Sequence, residues 1–152
     1  VKPNFAFGSI LWYNITMKAI HPTKEQFVDL AKKHSLDFVV LFGSHARGHT
    51  HEKSDVDIAV ISREKLDIIA LMMDLYDLFK REDVEVVNLA TASPTLCRAV
   101  SRDGVLLHET TAGAYSKWRL YSHKIWMETA WLRKIRDQKL IRIAEDYRKT
   151  HA

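Results

Sequence analysis

Gly43 and Ser44 close one apolar run, and ten residues later Asp55 and Asp57 open the next. The stretch reads Leu41-Phe42-Gly43-Ser44-His45-Ala46-Arg47-Gly48, then Ser54-Asp55-Val56-Asp57-Ile58-Ala59-Val60. Two acids one residue apart on a strand point to the same face, because side chains alternate. Such a pair can hold one hard cation between its carboxylates. A Gly-Ser corner after a strand can turn backbone N–H groups toward phosphate oxygens. A phosphate cradle beside a carboxylate pair is the equipment for metal-assisted phosphoryl or nucleotidyl transfer.

The elements that must position these groups follow from local pattern. Thr23 is an N-cap with Gln26 as its capping-box partner, and Phe27, Leu30, Ala31 and His34 follow at helical spacing. This predicts a helix from Lys24 to His34. Asp37 to Phe42 reads as a buried strand, broken by Gly43, with a short helix starting near Ser44. A polar loop from Gly48 to Ser54 leads to a strand over Val56–Ile61. Arg63 to Lys80 reads as a helix with Leu66, Ile69, Met73, Tyr76 and Phe79 along one face. Val84 to Leu89 is a third strand, in which Glu85 alternates with valines and can face the same way as the aspartates. Ser93-Pro94 opens a helix that ends before Gly104, and Val105 to His108 is a fourth strand.

From Ala112 to about Lys149 no proline interrupts the pattern, which predicts one long helix or two with a break. Trp118, Tyr121, Ile125, Leu132 and Ile135 keep helical spacing. Leu140, Ile143 and Tyr147 continue it with a shift, and Trp118, Trp126 and Trp131 make an aromatic stripe fit for a partner subunit. From Thr111 onward ten bases face four acids, so this tail carries +6 and the preceding residues −2 of the net +4. The basic element is therefore the tail. A solvated helix face or an acidic partner accounts for it better than nucleic acid does.

The 152 residues fit one domain with a substantial core. No apolar run reaches membrane-spanning length, and the lone Cys97 fits a reducing, cytoplasmic setting. Residues 1–16 are apolar and aromatic from Phe5 to Ile15, without a clear small-residue cleavage site. They read as a leader, an added extension or a packed segment, and Met17 as a possible start. The expected organisation is an N-terminal extension over 1–16, a catalytic domain over 17–110 and a helical tail over 111–152.

Gly43-Ser44, ten residues, Asp55-x-Asp57 and a later-strand acid at Glu85 resemble the minimal nucleotidyltransferases of the DNA polymerase β superfamily. Ala46-Arg47-Gly48 and Ser54 strengthen the likeness, which runs from about Thr23 to Glu109. The resemblance implies an α/β (α+β) nucleotidyltransferase fold, a mixed sheet of about four strands flanked by helices. It implies ATP as substrate and Mg²⁺ as cofactor. Asp55, Asp57 and Glu85 would be the catalytic and metal-binding acids, and Gly43, Ser44 and Arg47 the nucleotide-binding residues. Small members of the family are antitoxins that transfer AMP to a tyrosine of a HEPN toxin partner. The alternatives are a nucleotidyltransferase for aminoglycoside- or lincosamide-type molecules, and a non-catalytic antitoxin acting by binding through its tail. Two positions depart from the family pattern: Glu85 stands where aspartate is usual, and Asn88 where a second acid often follows.

Two further patterns carry less. His45, His49 and His51 are spaced for zinc, but Gly48 and Thr50 place them in a loop and no cysteine supports them. Arg102 and His108 have the spacing of a HEPN nuclease pair, but that pair belongs on a helical bundle and His108 ends a predicted strand.

Overall fold

The computed structural model describes residues 22–46 and 55–151. The N-terminal extension, Arg47, Ser54, His49 and His51 lie outside the described residues.

Thr23 caps the first helix, α1 (Lys24–Lys33), as the sequence predicts. Its Oγ1 accepts from Gln26 N at 3.3 Å, and Gln26 Oε1 accepts from Thr23 N at 2.7 Å. Strand β1 (Leu36–Phe42) follows, buried along nearly its whole length. A single helical turn, α2 (Gly43–Ala46), continues directly from it. Next come β2 (Val56–Ser62), α3 (Ile68–Phe79), β3 (Val84–Asn88), α4 (Pro94–Asp103) and β4 (Val105–Glu109). The chain ends in α5 (Ala114–Glu128) and α6 (Ala130–Thr150).

The sheet has the order β3-β2-β1-β4. β1 pairs antiparallel with β2 and β4, whereas β2 pairs parallel with β3 across the α3 crossover. This is the mixed four-stranded sheet expected from the sequence. Alternation along the strands sends side chains to two cores. On one face Val39, Leu41, Val56, Ile58 and Val60 meet Phe27 and Leu30 of α1 and Leu71, Leu75 and Phe79 of α3. On the other, Phe38, Val40 and Ala59 meet Val100 of α4 and Tyr115 and Trp118 of α5.

Helix α3 differs from expectation. It begins at Ile68, five residues later than the apolar spacing predicts, because the Asp67 carboxylate caps it by accepting from Ile69 N and Ala70 N. Its buried stripe is Leu71-Leu75-Phe79, while Ile69 is 70% and Met73 57% exposed. The apolar residues fill more than one face, so spacing alone points to the wrong stripe.

The tail is two helices. Thr129 ends α5, its Oγ1 donating to Ile125 O at 2.6 Å. Arg133 locks the joint: its guanidinium carbon lies 3.3 Å from the Trp126 ring centroid, and it donates to Trp126 O at 2.7 Å and Thr129 Oγ1 at 2.9 Å. The three tryptophans do not form one stripe. Trp118 is in the core, Trp126 is half-buried under Arg133, and Trp131 is 61% exposed. No residue of α6 is buried. Among the described residues, no helix is long and apolar enough to cross a membrane.

Candidate active site

β1 is an apolar run of β-formers that ends where Gly43 reverses the chain. Gly43 has φ +71°, in the left-handed region that glycine enters without strain. Its missing side chain matters as much as its backbone. A Cβ built on Gly43 would lie 1.9 Å from Asp57 Oδ2 and 2.8 Å from Asp57 Cγ. The Asp57 carboxylate thus rests against the backbone corner that starts α2, and Ser44 follows at once. The pairing explains the approach, since Phe42 at the end of β1 sits opposite Asp57 on β2.

Asp57 is also in register with Glu85 on the parallel neighbour β3. Paired residues of adjacent strands project to the same side of a sheet. Glu85 and Asp57 therefore share the face that carries Ala59 and Val87. Asp57 is half-buried, whereas Glu85 and Asp55, which immediately precedes β2, are exposed. Among the described residues, no three His, Cys, Asp or Glu side chains close into a metal-holding group. The three acids gather at one end of the sheet without forming a ready-made cage. Asn88, at the end of β3, acts locally. Its Oδ1 accepts from Ala90 N at 3.0 Å and shapes the turn.

One pair at this edge escapes a motif-based reading. Arg81 donates through Nε to Asp83 Oδ1 at 2.7 Å, and its second nitrogen reaches Asp83 Oδ2. The bond to Asp83 raises the guanidinium pKa, and the Asp55 charge raises it further. The same bond, with the Arg81 charge, holds Asp83 below the usual carboxylate range. Asp83 O also accepts from Val56 N at 2.9 Å, tying the entrance of β3 to that of β2. A forked Arg–Asp pair thus sits between Asp55 and the strand that carries Glu85. Its only sequence signal is an Arg-x-Asp turn just before the third acid.

The remaining patterns fall away from this edge. Arg102 closes α4 and pairs with Asp103 at 2.8 Å, while His108 lies within β4.

A family description, Polymerase beta, Nucleotidyltransferase, matches residues 25–112. The chain belongs to this family. The match takes in every element from α1 to β4 and stops short of α5. A protein adenylyltransferase, MntA, from Shewanella oneidensis is 40% identical over 78 residues, covering 49% of this chain and 55% of that protein. The chain thus matches about half the length of that relative. Among solved structures, a toxin–antitoxin with AMP-PNP superposes with a TM-score of 0.65 at 27% identity, covering 78% of this chain and 98% of that one. The tri-AMPylated Shewanella oneidensis HEPN toxin in complex with MNT antitoxin gives 0.59 at 26% identity, covering 77% of this chain and 95% of that one. The mixed sheet with flanking helices is the fold these structures share.

Proposed function

We propose that this chain transfers AMP from ATP to a tyrosine hydroxyl of a HEPN-type toxin, as the antitoxin of a toxin–antitoxin pair. The observation that carries the reading is the Asp57 carboxylate, seated against Gly43 and in register with Glu85. It puts acidic oxygens beside a backbone corner suited to phosphate, on the fold of an antitoxin solved with AMP-PNP.

The donor set fits Mg²⁺. Asp55 and Asp57 offer hard oxygen, and Mg²⁺ in nucleotide sites takes one or two carboxylates and completes its shell with water and phosphate. A closed protein cage is not needed, which agrees with the open arrangement of the acids. Asp55 and Asp57 would hold the ion, which when bound supplies charge neutralisation on the triphosphate.

The chain's own groups supply the rest. The Gly43 and Ser44 backbone N–H groups, with the Ser44 hydroxyl, donate to the β- and γ-phosphates. Arg47 offsets charge that develops on the leaving group. Glu85 accepts the proton of the attacking hydroxyl. The hydroxyl oxygen forms a bond to the α-phosphorus, the bond to the bridging oxygen breaks in line, and pyrophosphate departs. Arg81 holds Asp83 and keeps the entrances of β2 and β3 together, so that Asp57 and Glu85 stay in register.

The test is incubation of the chain with α-labelled ATP, Mg²⁺ and the product of the neighbouring gene. Label should move to a tyrosine of that protein. The Asp55→Asn/Asp57→Asn variant should lose transfer by at least about 10³-fold, on the scale of removing charged groups that act in the transition state. Undiminished labelling by that variant, or none by the intact chain, overturns the proposal.

A further inference from the structure

Helix α6 stands outside both cores. Its 21 residues span about 31 Å at the helical rise, and apart from the joint at Arg133 its side chains meet water. Most helices in folded proteins owe their stability to a packed apolar face. This one has such a face, and among the described residues nothing packs on it. Leu132, Leu140, Ile143 and Tyr147, with Arg136 among them, fall within about a quarter of the helix circumference at 100° per residue. The four apolar side chains are 48%, 56%, 55% and 64% exposed. The strip amounts to on the order of 400 Å², within the range of the largest apolar patch on an ordinary monomer, where such patches are often functional.

The charges say what covers it. Helix α6 carries seven bases and three acids, a net of +4. A second copy laid along the strip would bring two such helices together at high repulsion. A membrane-surface helix separates its bases from its apolar residues, but here Arg136, which pairs with Asp137 at 2.7 Å, lies inside the strip and Lys139 beside it. A phosphate backbone would satisfy the bases and offer nothing to Leu140 and Ile143. An apolar protein surface studded with acids satisfies both.

We infer that the α6 strip is the docking site for the acceptor protein, and that it grips an apolar, acidic helical face of that partner independently of the catalytic acids. The inference rests on the reading of a protein acceptor, and the two can fail separately. Leu140→Ser/Ile143→Ser/Tyr147→Ser, in the full chain, should weaken binding to the product of the neighbouring gene at least 100-fold by calorimetry. Affinity for AMP-PNP and the melting temperature of the body should not change, since these side chains touch neither core. Lys139→Glu/Arg142→Glu should weaken binding about tenfold, with a flatter salt dependence. Asp55→Asn/Asp57→Asn should abolish AMP transfer and leave this binding intact. Equal binding by the triple-serine variant overturns the docking site while the acceptor reading stands. So does light scattering that shows the intact chain as a dimer and the variant as a monomer, or variant-sensitive binding to phosphatidylserine–phosphatidylcholine vesicles. No binding by the intact chain removes both.

Discussion

Replacing Gly43 with alanine tests the site at its narrowest point. The added Cβ would lie 1.9 Å from Asp57 Oδ2, and even a 3.0 Å contact requires that oxygen to retreat by about 1.1 Å. The positive φ adds strain of roughly 1–2 kcal/mol for a residue with a Cβ. Asp57 is a side chain and can swing, so the protein should fold, with a stability loss of about 1–3 kcal/mol by urea denaturation. Activity should suffer more. A displacement near 1 Å in a group that positions the reacting centre costs on the order of 10²-fold in rate. The assay is AMP transfer at saturating ATP, read beside the denaturation curve. A double-mutant cycle isolates the clash. In an Asp57→Ala background the carboxylate clash is gone and only the Cβ remains, 3.3 Å away, so Gly43→Ala should cost little beyond the backbone strain and the two losses are not additive. If Gly43→Ala keeps transfer within about threefold of the parent, or if its stability cost is the same in both backgrounds, Asp57 does not rest on that corner as described.

Two predictions concern the scaffold. Gly104→Ala puts a Cβ 2.5 Å from Val100 O, 2.6 Å from Val40 Cγ1 and 2.8 Å from Tyr115 Oη; backbone and core cannot yield cheaply, so the loss should be about 2–3 kcal/mol by thermal unfolding. An unchanged melting temperature would refute that packing. Asp74 joins α3 to the end of α1, accepting from Lys33 Nζ at 2.9 Å and lying 2.6 Å from His34 Nε2. The Lys33 bond first, and then the His34 contact, hold the Asp74 carboxyl below its ordinary value. A depressed carboxylate stabilises the fold above its unfolded pKa, and that stability is lost as pH falls through the folded value. Asp74→Asn should therefore cost about 1–2 kcal/mol at pH 7, discounted because Lys33 is washed by solvent. The gap should close toward pH 2, and a constant gap in denaturation curves from pH 7 to pH 2 would count against the argument.

Much of the fold is readable because local signals and burial agree. The Thr23–Gln26 box, the Ser93-Pro94 start and the β1 run each name their element, and each element forms there. Reading fails where composition is apolar all round. In α3 the periodicity fits several stripes, and only the sheet beneath decides that Leu71, Leu75 and Phe79 go inward. The tryptophans of the tail mislead because Trp118 and Trp126 lie on α5 while Trp131 lies past the Thr129 joint on α6, a helix with no buried residue. At the site, the Gly-Ser corner and the acids are legible from spacing. Their contact is not: that Asp57 abuts Gly43 follows from the antiparallel register of β1 and β2, which no local pattern specifies. The Arg81–Asp83 fork leaves only a weak sequence signal, because an Arg-x-Asp turn looks like solvated surface.

The clamp of Arg133 on Trp126 gives the molecule a direction. A loose joint would let the last helix sweep a wide cone, and whatever it caught would have to search for the chemistry. Here Arg133 ties the start of α6 to Trp126 of α5, and α5 packs on the side of the sheet from which Asp57 and Glu85 project. If α6 holds the acceptor as inferred, part of the orientation entropy is spent during folding, before any encounter.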